Sequence, residues 1–367
     1  MYQPKHKKQR QEQEATSRKR LWLWIPAGVC GALLAVVLVL YGLALTGWSE
    51  FVNTYRDLWI ETAMTTTNHR WLATAFFPEE MIKEVMGEKA PDDGSVSVIP
   101  DTEPVPEEPE PAPDILGQQG LKPGDLDYAG FEILYNDIEQ GVLISRITGE
   151  GFEGKVALID DPSRLFLETT AYKGDKGEKI LTYLEKYDAI LGINASPYEN
   201  PKWRGTGGHI LGKTLSANQG AWGKYLKKYN TIGFDQNHRL VIGKLKESEW
   251  ETYGLRDAMQ FSPSLIVNGK QKVFGSGGWG IQPRTIVGQR EDGVVALLQV
   301  DGRRPGYSIG AKLGDCAEIL LKYGVINAAA CDGGSSSVMA YNGELISIPT
   351  TIKDGRTLPN VWLVKRK

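Results

Sequence analysis

Two Asp-Gly loops are the residues of this chain best suited to chemistry on a polar, anionic ligand. The run VVALLQV ends at Asp301-Gly302-Arg303, and the run VINAAAC ends at Asp332-Gly333-Gly334-Ser335-Ser336-Ser337. Each loop alone reads equally as a plain turn, because Asp-Gly is a common hairpin signal, and Asn342-Gly343 is read as such a turn. Together, after two buried runs, they read as a site. The carboxylates of Asp301 and Asp332 would stabilise developing positive charge. The backbone N–H groups and hydroxyls of Gly333, Gly334, Ser335 and Ser336 would cradle an oxyanion. Arg303 and Arg284 would clamp the same oxygens through a two-pronged guanidinium.

The elements that must hold these loops are mostly strands. GVLISRITG, GKVALIDD, RLFLETT, AILGINA, TIGFD, RLVIG, PSLIVNG, RTIVGQ, VVALLQVDG, ELISIP and NVWLVK are short β-like runs punctuated by Gly, Asn and Asp. The continuous apolar run VVALLQV predicts a strand covered on both faces. Two helices interrupt: GEKILTYLEKYD, with Ile180, Leu181, Leu184 and Tyr187 on one face, and KLGDCAEILLKYG, with Leu313, Ala317, Leu320 and Leu321 on one face and a stop at Gly324. The second helix joins the two acid-tipped strands, and a crevice at strand ends is where such sheets bind ligands. The fold class is α+β, with mixed β-sheets and a few helices.

The order PRT, strand, DGRRPGYSIG, helix, strand, DGGSSS, hairpin and terminal NVWLV resembles the phosphodiester glycosidase domain, a family that includes the enzyme uncovering mannose 6-phosphate. GINASPY, GHILGKTLS, TIGFDQNHRLVIG and PSLIVNGK fit weaker upstream elements, so the resemblance spans about residues 140–366. It implies cleavage of a sugar C1–O bond to phosphate through an oxocarbenium-like transition state. Carried over by position, it implies a pocket of Asn194, Arg284, Thr285, Asp301, Arg303, Ser308, Asp332, Gly333, Gly334, Ser335 and Ser336. Asp332 is the expected carboxylate at the anomeric carbon, Asp301 the second, and Glu199 a weaker third. Ala195-Ser196-Pro197 departs from the family's glycine pair, Cys331 stands for an aliphatic residue, Ser335 for a third glycine and Val338 for a threonine. His209 and His238 read as surface residues, whereas Trp203, Trp222 and Trp279 read equally as sugar platforms or as packing.

The rest of the chain places the domain. Leu21–Leu45 carries no charge and is flanked by Trp22, Trp24, Tyr41 and Trp48. About 20 apolar residues cross a bilayer, and a cleaved signal would have a shorter core of about 7–15. The expected organisation is a basic cytoplasmic tail over 1–20, a transmembrane helix over 21–46, a helical juxtamembrane stalk over 47–88, a Pro/acid linker over 89–119 and the glycosidase-like domain over 120–367. Lys5, Lys7, Lys8, Arg10, Arg18, Lys19 and Arg20 put the N-terminus in the cytoplasm and the C-terminal domain outside the cell. Helical spacing of Phe51, Val52, Tyr55, Leu58, Trp59 and Thr62 predicts one stalk helix, and a second starts at Pro78. The stalk packs on the bilayer or a partner, or else caps the domain. The linker is expected to be extended and free of contacts. Cys316 and Cys331 sit in apolar runs and read as core residues, and no metal-ligand spacing is present, so no cofactor is expected, with a hard cation such as calcium at Asp332 an unsupported option.

The expected partners are therefore the membrane lipid bilayer and a carbohydrate or sugar-phosphate substrate; a net charge of −3 argues against nucleic acid. The expected function is hydrolysis of a sugar-1-phosphodiester in a cell-surface glycan or exopolysaccharide. Its rival is a non-catalytic binder or polymer-assembly protein using the same cleft.

Overall fold

The computed structural model describes residues 29–66, 69–87, 96–97, 116–201, 204–350 and 353–367. An eight-stranded sheet forms its centre, in the order β1 (Glu132–Asp137), β2 (Val142–Gly149), β3 (Phe152–Ile159), β14 (Val295–Val300), β13 (Arg284–Arg290), β15 (Val325–Ala330), β11 (Ser264–Val267) and β12 (Lys270–Gln271). A second sheet runs β7 (Gly220–Gly223), β6 (Lys213–Ser216), β10 (Leu255–Phe261), β8 (Asn230–Asp235) and β9 (Leu240–Gly243). A third runs β17 (Glu344–Leu345), β16 (Met339–Tyr341), β5 (Ala189–Asn194), β18 (Asn360–Lys365) and β4 (Leu165–Thr169). The class is α+β, as the mixture of strand runs and isolated helices predicts.

Period-two alternation explains the central strands. In β14, Ala296, Leu298 and Val300 face one hydrophobic layer and Val295 and Leu297 face the other. The first layer is closed by α7 (Leu313–Lys322) through Leu313, Ala317 and Leu320. The second is closed by the other two sheets, with Trp362 and Phe234 fully buried in edge-to-face contact at 5.6 Å. Burying Trp362 and its neighbours removes their whole apolar surface from water, at roughly 25 cal/mol per Å². Both expected helices form: α5 (Ile180–Lys186) buries Ile180 and Leu184, and α7 gives way at Gly324, whose φ of +76° is the left-handed stop. Cys316 and Cys331 are free and buried.

One register relation matters most. Strand β13 runs antiparallel to β14 on one side and to β15 on the other, with Arg284 paired to Val300 and Ile286 to Ala330. The start of β13 and the ends of β14 and β15 therefore share one edge of the sheet.

N-terminal to the domain, α1 (Val29–Thr46) has a mean hydropathy of 2.5, is long and apolar enough to cross a membrane, and is almost entirely exposed. The remainder of the expected 21–46 span lies outside the described residues. Next come α2 (Glu50–Met64), α3 (Trp71–Thr74) and α4 (Glu79–Gly87), which begins directly after Pro78 as expected. Ile60, Ala63, Ala73, Ile82 and Val85 form their small core. The aromatic face predicted for α2 is the outer one: Phe51, Tyr55 and Trp59 are 71%, 60% and 52% exposed.

The end of α2 and the turn after it pack against the domain. Thr62 Oγ1 accepts from the Ile281 amide at 3.0 Å, and Thr65 Oγ1 accepts from Gln282 Nε2 at 2.5 Å. Gly280 permits this seat, since a Cβ there would lie 2.5 Å from Thr62 and its φ is +60°. The linker departs from expectation at two places. Ser97 joins the free edge of β9, its amide donating to Ile242 O at 2.9 Å and its hydroxyl accepting from Ile242 N at 2.9 Å. Leu116 is in the first core layer, and Gln118 Nε2 donates to Val142 O at 2.8 Å. Ser97 thus pairs with an open strand edge through both its amide and its hydroxyl, at a position whose composition predicts no packing.

Candidate active site

The shared strand edge opens into a polar pocket of about 150 Å³, lined by Asp332 to Ser336, Arg303, Arg284, Arg356, Tyr198, Asn200, Gln282, Trp279 and, from the cap, Thr65 and Thr66. Asp332 is placed by two sheets at once. Its amide donates to Ala195 O, just past β5, at 2.8 Å, and the preceding Cys331 amide donates to Thr285 O on β13 at 2.8 Å.

Asn194 is the pin beneath this junction. Its Nδ2 donates to Asp332 O at 2.6 Å, while its Oδ1 accepts from Thr285 Oγ1 at 2.7 Å and from Val338 N at 3.1 Å. Asn194 and Thr285 are thus buried and fully committed, and neither lines the pocket. They were expected to touch substrate; they fix the backbone of Asp332 instead.

Burial pushes the Asp332 carboxyl up to about 6, and the Ser336 hydroxyl, the Arg356 guanidinium, the Gly333 amide and Arg303 pull it back only in part. Asp332 is the only carboxylate lining the pocket among the described residues. Arg303 stands opposite. Its φ of +59° is rare for a residue with a side chain. The loop holding it in that conformation is clamped by Arg304 and Ser308, whose backbones exchange bonds at 2.8 and 2.9 Å, and by Ser308 Oγ donating to Asp301 O at 2.7 Å. Burial lowers the Arg303 pKa while Asp332 raises it, and among the described residues its guanidinium makes no hydrogen bond. Gly334, at φ +64°, leaves room for it: a Cβ there would lie 3.2 Å from an Arg303 nitrogen.

Arg284 also reaches the pocket but is committed, donating to the carbonyls of Ala311 at 3.0 Å, Trp279 at 3.0 Å and Gly280 at 2.5 Å. Burial brings its pKa down to about 10. The Ser-rich loop commits three of its amides within the protein. Gly334 N donates to Pro283 O, Ser336 N to Gly333 O and Ser337 N to Gly334 O.

Asp301 lies on the same edge yet outside the pocket. Its side chain is fully buried and accepts from Lys155 Nζ at 3.1 Å, Gln299 Nε2 at 3.0 Å, Tyr307 OH at 3.0 Å and Ile348 N at 2.8 Å. Four donors leave its carboxylate no free lone pair for a ligand. Ser308 is likewise internal, accepting from Glu153 N at 3.1 Å. Glu199 and His209 are exposed, and neither lines the pocket. His238 occupies a turn at φ +60°. Trp279 lines the pocket, Trp222 does not, and Trp203 lies outside the described residues.

Sequence reasoning missed Arg356 and Tyr198. Arg356 donates to Ser335 Oγ at 3.3 Å, Asn200 Oδ1 at 3.1 Å and Gly205 O at 3.2 Å, and lies 4.7 Å from the Tyr198 ring centroid. Burial pushes the Tyr198 hydroxyl up to about 12, against the pull of Arg356. A signal existed: Asp354-Gly355-Arg356 repeats the Asp-Gly-Arg of residues 301–303, but follows no buried run.

A profile of the phosphodiester glycosidase family matches residues 187–365. Those residues form a phosphodiester glycosidase domain. The glycosidase domain holds every pocket residue named above except Thr65 and Thr66. Among curated relatives, the chain is 26% identical over 237 residues to the SPbeta prophage-derived protein YomE of Bacillus subtilis, covering 58% of this chain and 34% of YomE. It is 38% identical over 87 residues to the N-acetylglucosamine-1-phosphodiester alpha-N-acetylglucosaminidase of Bos taurus, covering 24% of this chain and 15% of that enzyme. The chain thus spans about a third of the first of these relatives and about a seventh of the second. The zebrafish catalytic domain of the same name, solved as auto-inhibited by its pro-peptide, has a likeness of fold to this chain, with a TM-score of 0.50 at 20% identity over 62% of this chain and 82% of that one.

Proposed function

We propose that this chain is a membrane-anchored hydrolase that cleaves the C1–O bond of a sugar-1-phosphodiester outside the cytoplasm. The observation that carries this reading is the pairing of one raised carboxyl, Asp332, with one uncommitted guanidinium, Arg303, across a polar pocket in the family-matched domain.

The chemistry follows from that pairing. Arg303 holds the phosphodiester oxygens and neutralises the charge that grows on the departing phosphate, with Arg356 beside the Ser335 hydroxyl as a second cation. The C1–O bond breaks and its electron pair leaves on the phosphate monoester, a leaving group that needs no proton. Asp332 faces the cationic sugar carbon and takes a proton from the water that adds to C1. The products are a free reducing sugar and a phosphate monoester. Glycoside hydrolysis ordinarily uses two carboxylates, one of them to protonate a poor alcohol leaving group. A phosphate leaving group removes that demand, which fits a pocket with a single carboxylate.

The apolar α1 serves as the anchor, and the basic residues preceding it favour a cytoplasmic N-terminus and an external domain. The test is turnover by the full chain in detergent on a panel of sugar-1-phosphodiesters, scored as reducing sugar released together with phosphate monoester. Asp332-dependent release supports the reading. A panel on which parent and Asp332→Asn are equally inert overturns it.

A further inference from the structure

The active pocket is one end of a longer track. Arg303 and Thr66 line it and also line a second cavity of about 480 Å³, whose walls are mostly apolar and include Ile281, Ile309, Leu58 and Trp59. Trp59, Tyr55 and Leu72 in turn line a third cavity of about 700 Å³, enclosed by α1, α2 and the segment around α3. Its walls are apolar apart from Arg56, which is held by Asp57 at 2.7 Å and by the Ala44 carbonyl at 3.0 Å. One wall is α1 itself, through Val37, Leu40, Tyr41 and Ala44. A greasy groove therefore starts on the helix able to cross a membrane and ends at the guanidinium that faces Asp332.

We propose that the substrate's second alcohol is a long-chain membrane lipid: the enzyme takes a lipid-linked sugar phosphate, its hydrocarbon in the groove, its phosphate at Arg303 and its sugar toward Asp332. This rests on the glycosidase reading and names its substrate class. Two features select this occupant. The groove shares lining residues with the active pocket, and Arg303, the arginine along the track that makes no hydrogen bond among the described residues, sits at the junction of its apolar and polar parts, where an amphiphile of this kind changes character. Tyr55, Trp59, Trp71 and Phe76 are 60%, 52%, 58% and 47% exposed, as rings that meet a lipid chain or an interfacial layer would be. Hydrolysis adds water at C1 and releases the sugar; the electron pair leaves on the lipid phosphate, which stays with the bilayer.

The experiment uses the full chain in nanodiscs and two substrates that share sugar and phosphate, an ethyl and a decyl sugar-1-phosphodiester. The parent is expected to favour the decyl compound in kcat/KM by about tenfold or more, since each buried methylene strengthens binding severalfold. Tyr55→Glu and, independently, Trp71→Glu place a charge in the groove wall and should cut that decyl-to-ethyl ratio by about tenfold. Equal kcat/KM for both compounds in the parent, or a ratio unmoved in both variants, overturns the lipid assignment. So does a ratio unmoved while either variant changes the oligomeric state, which would make the groove a face for a second copy. Binding of both compounds to Asp332→Asn separates the two layers of the argument. A decyl preference in binding without turnover by the parent defeats the glycosidase reading and keeps the lipid groove. Turnover without any chain-length preference does the reverse.

Discussion

Asp301 and Asp332 begin as equals. Both follow a strand buried along all or nearly all its length, both precede glycine, and the strands that carry them, β14 and β15, end on the same edge with β13 between them. Their surroundings then separate them. Asp301 accepts four hydrogen bonds, one from buried Lys155, and is committed to holding the loop. Asp332 faces Arg303 across a pocket and keeps a carboxyl raised to about 6. A motif sets where a carboxylate is; the number of donors aimed at it sets whether it can act.

Exchanging each acid for its amide should break the symmetry most sharply. Asp332→Asn is expected to lower sugar release by about 10²-fold or more with the fold intact. Asp301→Asn strands the Lys155 ammonium, 11% exposed, and should cost about 3–5 kcal/mol of stability, read as a lower urea midpoint with unchanged slope. Should Asp301→Asn unfold normally and lose turnover while Asp332→Asn keeps it, the assignment of the two acids is reversed.

The two arginines allow the same comparison one step down. Arg303→Lys keeps a charge but loses the fork, so KM should rise about tenfold with little change in melting temperature. Arg284→Lys loses donors to three carbonyls and should instead lower the melting temperature by several degrees. Equal melting temperatures for the two variants would show that Arg284 is not the buttress described.

A pH series sharpens the role of Asp332. If its carboxylate form is the active one, kcat/KM should climb as pH rises through about 6, and that limb should vanish in Asp332→Asn. Stability must move the opposite way. A carboxyl whose folded pKa lies above its unfolded value binds its proton more tightly when folded, so its contribution is complete below about 4 and is lost as pH rises through about 6. Asp332→Asn should therefore melt above the parent at pH 8, with the gap closing toward pH 4. A gap that does not depend on pH would mean the carboxyl is not raised.

The smallest effect concerns the segment before the domain. Ser97→Ala removes the two hydroxyl contacts to β9, with Ile242 N and Leu240 O, and should lower stability by about 1 kcal/mol, with no change in kcat/KM. No loss at all would return residues 96–97 to the free linker that their composition suggests.

Much of this molecule was legible from the chain alone, where the cause is local. The 3.6-residue spacing of Ile180 and Leu184, and of Leu313, Ala317 and Leu320, determined α5 and α7, and Gly324 determined where α7 ends. The largely apolar, uncharged runs of β14 and β15 determined strands buried on both faces, and an uncharged stretch determined α1. Motif order determined the family. What the tertiary structure alone decided is which polar residue is free. Asp301 is saturated by Lys155, 146 residues away, and by Ile348, 47 residues away; Asn194 is held as a pin by Thr285, 91 residues away; Arg356 enters the pocket from a turn. Hydrogen-bond saturation and desolvation act through space, between atoms that no local pattern brings together, so the same Asp-Gly can be a buried brace in one loop and a raised carboxyl lining a pocket in the next.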